Sequence, residues 1–73
     1  MIFEIREKIL NFCRTPLNFE SILQRLFSFY SLHMTIEQHT LVGATVRGYL
    51  SWLYDDGLLD VGISDNILLW RAV

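Results

Sequence analysis

Seventy-three residues, 52% of them hydrophobic and 14% aromatic, suit one small packed domain spanning 1–73 and exclude a disordered chain. Six basic against eight acidic side chains give a net charge of −2, which excludes broad phosphate neutralisation and leaves at most a local basic patch. No apolar run is long enough to span a bilayer, the start lacks the basic-then-apolar order of a signal peptide, and the single Cys13 has no internal disulfide partner. A cytoplasmic protein with no membrane partner is expected.

Ile2, Ile5, Ile9, Phe12 and Cys13 recur at helical spacing and predict a first helix over about residues 2–13. Glu4 and Lys8 are spaced for an i,i+4 ion pair, and Pro16 ends the helix near Thr15. Cys13, on the apolar stripe, reads as a core thiol. Asn18 is placed to cap a second helix over Phe19–Tyr30, with Phe19, Ile22, Leu23, Leu26 and Tyr30 as its stripe. Thr35 with Gln38 three residues on is a capping-box pattern, expected to open a short helical turn before the third helix. That third helix is expected over about 41–56, with Val42, Val46, Tyr49, Leu50 and Leu53 inward and Gly57 as its left-handed stop.

From Leu58 the period changes. Residues 58–63 and 66–73 read as two strands joined through Ser64-Asp65-Asn66, and Leu17 is a candidate third, brief strand. The predicted class is α+β: three helices followed by a short two-stranded antiparallel hairpin. The aromatic content exceeds what so small a core needs, which marks Phe27, Phe29, Tyr30 and Trp52 as candidates for a self-association or partner surface.

The order of elements, with Thr45-Val-Arg-Gly-Tyr-Leu-Ser-Trp-Leu-Tyr-Asp-Asp-Gly-Leu-Leu59, resembles the winged helix-turn-helix domains of small bacterial and phage DNA-binding regulators. That resemblance implies a third helix in the major groove of duplex DNA, a hairpin wing along the backbone, a dimer, and a role in transcription regulation. It assigns the groove-facing positions to Thr40, Gly43, Ala44, Thr45, Arg47, Gly48 and Ser51. Arg47 would fork onto guanine or clamp a phosphate, with Arg14 or Arg25 completing a positive stripe.

Two features depart from that pattern. Arg47 is the only basic residue on the helix, and the wing carries Asp60 and Asp65 with Arg71 alone at its far end. The alternative is a winged-helix frame used for protein interaction or assembly without DNA contact, with the aromatics as anchors. No nucleophile–base arrangement, glycine-rich phosphate loop or metal-ligand cluster appears, and His33 and His39 with a distant Cys13 do not make a structural zinc set. No enzyme activity, cofactor or small-molecule ligand is expected.

Overall fold

The α1 helix, Ile2–Phe12, stops where Pro16 requires it, its last turn closed by Cys13 N–H donating to the Ile9 carbonyl at 3.0 Å. The computed structural model describes residues 2–73, with side chains from Glu4 onward, so the expected role of Ile2 in the stripe lies outside the described side chains. Ile9 and Cys13 are fully buried. The expected Glu4–Lys8 pair does not form. Glu4 instead accepts a hydrogen bond from the Tyr30 hydroxyl at 3.0 Å, and the Lys8 ammonium sits 4.1 Å from the Phe29 ring centre. An exposed i,i+4 pair is worth only a few tenths of a kcal/mol, so contacts reaching α2 readily displace it.

The α2 helix, Phe19–Phe29, begins at Asn18, whose extended backbone lets its side chain accept from Ser21 N–H at 2.8 Å. It ends in a Schellman closure: Leu32 N–H reaches the Phe27 carbonyl at 2.8 Å and Ser31 N–H the Ser28 carbonyl at 3.2 Å. Ser31 occupies the left-handed position at φ 55° without the freedom of a glycine.

The α3 helix runs unbroken over Ile36–Asp55, twenty residues or about 30 Å. Thr35 caps it through Gln38 N–H at 3.1 Å. The capping box therefore opens α3 itself, and no separate turn precedes a helix at 41. No glycine or proline lies between Ile36 and Leu41, so nothing in the backbone interrupts the hydrogen-bond ladder. At the far end Gly57, at φ 76°, turns the chain: its N–H donates to the Tyr54 carbonyl at 3.0 Å and Leu58 N–H to the Leu53 carbonyl at 2.9 Å.

Strands β1, Leu59–Ser64, and β2, Ile67–Ala72, pair antiparallel in the register Leu59 to Ala72 through Ser64 to Ile67. Asp65 and Asn66 both have positive φ, 52° and 63°, the backbone of a two-residue hairpin turn. Leu17 adds one bridge rather than a full strand, exchanging hydrogen bonds with Trp70 at 3.0 and 2.7 Å. The result is three helices followed by a two-stranded wing, in the order and sheet pairing of a winged helix-turn-helix.

The core gathers Ile9 and Cys13 beside α1, Ile22, Leu23, Leu26 and Phe27 of α2, Val46, Leu50 and Leu53 of α3, and Leu59 of β1. Phe27, expected as a candidate partner anchor, is 3% exposed and belongs to this core. Gly43, expected in the groove-facing set, is buried as well. A Cβ there would lie 3.4 Å from Phe19 Cζ, an ordinary contact distance, so the first aromatic of α2 packs directly over this position of α3. Val42 and Tyr49, expected inward, are half-buried at the edge.

Candidate interaction surfaces around the third helix

With Val46, Leu50 and Leu53 facing the core, a 100° step per residue sorts the remaining α3 side chains onto two flanks. Thr40, Ala44, Arg47 and Ser51 fall on the flank toward α2's first turn and the wing. Leu41, Thr45 and Trp52 fall on the other, and Gly48 lies on the outer ridge between them. The expected groove-facing set is thus divided rather than brought together.

The wing-side flank borders an open cleft of about 580 Å³ lined by Phe19, Leu50, Ile67, Leu68 and Trp70, with Asn18, Glu20, Arg47, Ser51 and Asn66 supplying its polar atoms. Its outer wall follows from the strand register. Leu59, Val61 and Ile63 share one face of the hairpin with Ala72, Trp70 and Leu68. That face is buried at its base, where Leu59 is 2% exposed, and open at its tip, where Ile63 is 75% and Leu68 44% exposed. The wing thus carries an apolar face past the end of the core. A smaller recess of about 220 Å³, bounded by Phe19, His39, Thr40, Gly43, Ala44 and Arg47, continues along α3.

Arg47 is exposed, and its guanidinium carbon lies 4.0 Å from the Phe19 ring centre, so the cation sits over an aromatic ring. Glu20 stands in the same cleft and bonds His39 Nε2 at 2.7 Å. Arg14 and Arg25 line neither recess beside Arg47. The Thr40 and Thr45 hydroxyls donate back to the Ile36 and Leu41 carbonyls at 3.1 and 3.3 Å, which uses their only donors within the helix. On the wing's outer face Arg71 bonds Asp60 at 3.0 Å. That hydrogen bond, with the one from Val61 N–H, holds the Asp60 carboxyl below its ordinary pKa, so the wing's only arginine is engaged by its own hairpin.

The opposite flank faces α1 and the α2–α3 turn. There Thr45, Val42 and Tyr49 border a small wholly apolar groove of about 110 Å³ with Ile5, Leu26, Tyr30 and Leu32. Trp52, 38% exposed, stacks on Tyr49 at 6.2 Å and 29°, with Arg6 4.8 Å from its ring centre. Arg6 also pairs with Asp56 at 3.1 Å. Of the other expected anchors, Phe29 is 52% exposed and meets Tyr30 edge-on at 5.0 Å. Tyr30 is half-buried, and burial together with its bond to Glu4 raises its pKa.

Sequence reasoning missed Ile63, Ile67, Leu68 and Leu41 as surface residues. The signal available for Ile63 and Leu68 was their position two residues from the Asp65-Asn66 turn, at the end of the hairpin farthest from the helices' connection at Leu58. Among the described residues no group of three His, Cys, Asp or Glu gathers, and no helix is long and apolar enough to cross a membrane. Set against known proteins, the chain matches no family model, no curated protein and no solved structure.

Proposed function

We propose that this chain is a winged-helix protein-docking module that seats an apolar protein segment between α3 and the wing. The observation that carries the reading is the lining of the wing cleft, where Phe19, Leu68 and Trp70 face an opening whose one cation, Arg47, shares it with Glu20. A phosphate backbone gains affinity from several cations, whereas an apolar segment gains it from desolvated aromatic and aliphatic walls. The acidic Asp65 at the wing tip works in the same direction.

Duplex DNA binding is the second reading, favoured by the exposure of Arg47 on the helix that winged-helix DNA binders insert in the groove. One experiment separates the two. Fluorescent random-sequence duplex is titrated with the wild type and with Arg47→Ala at low and moderate salt, and proteins retained by the tagged wild type are compared with those retained by Leu68→Asp. Docking predicts no saturable duplex binding and loss of a stoichiometric protein partner in Leu68→Asp alone. Salt-sensitive duplex binding that disappears in Arg47→Ala overturns the docking reading in favour of DNA.

A further inference from the structure

Along α3, Leu41, Thr45, Gly48 and Trp52 follow an i, i+4, i+7, i+11 spacing and form one stripe, none of which lines the wing cleft. All four are exposed, Leu41 to 65%. Packing within the single chain does not require Gly48: a Cβ built there meets no atom within 4 Å. Glycine is nonetheless the least favourable residue after proline for a helix interior. A glycine at this exposed position leaves the axis of α3 open to close approach from outside. Trp52, meanwhile, is fixed between Tyr49 and Arg6, so a large aromatic is presented in one pose with little ordering left to lose on contact.

The stripe is also its own complement. An antiparallel copy crossing midway between Thr45 and Gly48 sets Leu41 of one chain against Trp52 of the other, twice, and Thr45 against Gly48, twice. Bulk meets bulk at the ends, and the small centre lets the axes approach. This is the i-to-j, j-to-i pattern that a two-fold interface requires and a heterologous partner does not. A stable interface covers roughly 800 Å² per partner, more than one helix flank supplies. Leu32, 51% exposed and beside Thr45 and Val42, extends the apolar surface past the helix itself. We propose that the chain forms a two-fold homodimer in which α3 packs antiparallel on α3 of a second copy across Gly48, leaving both wing clefts open.

Sedimentation equilibrium at micromolar concentration tests this, with circular dichroism as the check on folding. The wild type is expected at twice the chain mass. Gly48→Arg replaces glycine with a better helix former at an exposed position, so it keeps its helix content while dimer affinity falls about 100-fold. Ile63→Arg, on the wing, leaves the dimer intact. Leu41→Arg and Trp52→Glu are each monomeric alone, and an equimolar mixture of the two restores the dimer, because one new ion pair and one native Leu–Trp contact then form. A monomeric wild type, a dimeric Gly48→Arg, loss of the dimer in Ile63→Arg, or a mixture that stays monomeric each overturns the proposal.

Discussion

Gly48 and Gly57 stand nine residues apart on one helix and its exit, and replacing each with alanine is expected to move stability in opposite directions. At Gly48 the backbone is helical and the added methyl meets nothing, so Gly48→Ala gains helix propensity of about 1 kcal/mol with no packing cost. At Gly57 the space is equally open, but φ is 76°, and a Cβ in that conformation costs about 1–2 kcal/mol. For a domain of this size 1 kcal/mol corresponds to roughly 4–8 °C in Tm. Urea unfolding followed by circular dichroism, at a protein concentration where sedimentation gives a single chain, reads both changes as shifts in midpoint at unchanged slope. A Gly48→Ala variant less stable than wild type would refute the reasoning, since it would mean that the isolated chain itself needs the glycine.

Three further outcomes follow from the same geometry. Ser31→Gly relieves a left-handed serine inside an intact Schellman closure and is expected to raise stability by about 0.5–1 kcal/mol in the same urea assay. Leu53→Ala removes a fully buried side chain of α3 from the core and should cost about 3 kcal/mol, read as a lower urea midpoint. Burial pushes the Cys13 thiol up to about 11. Because the unfolded chain loses this proton at lower pH than the folded one, the associated stability is complete below the unfolded thiol's pKa and disappears as pH rises through about 11. Thermal midpoints measured from neutral to strongly alkaline pH should therefore decline across that window in the wild type and less in Cys13→Ala, while a thiol reagent at pH 8 reacts with the native protein far more slowly than with the urea-unfolded chain.

The elements were legible because their ends carry local chemistry. Asn18, Thr35, Gly57 and the Asp65-Asn66 turn each announce a boundary through a side chain or a φ preference that needs no tertiary partner. What the sequence left open was which way each side chain points once the helices meet. Gly43 looks like an outward small residue until Phe19 arrives from α2 to cover it, and Phe27 looks like surplus until α1 and α3 close over it. Thr45 and Arg47 share a helix and a stretch of three residues, yet a rotation of 200° sends them to opposite flanks. The candidate site was divided by that rotation, a constant of helix geometry that the spacing of the two residues already carried.

The Leu17–Trp70 bridge has a mechanical consequence. Below it the hairpin is fastened to the rest of the chain by Ala72 N–H, which donates to the Cys13 carbonyl at 2.8 Å. Above it the backbone hydrogen bonds of the two strands run only to each other, over the stretch that carries Ile63 and Leu68. Trp70 is therefore the outermost residue of the hairpin that is hydrogen-bonded through its backbone to the rest of the chain, and a movement of the tip beyond it would change the width of the cleft. Amide exchange should divide the hairpin at that point, slow at Trp70 and Ala72 and fast beyond them, and a bound segment should slow the tip alone.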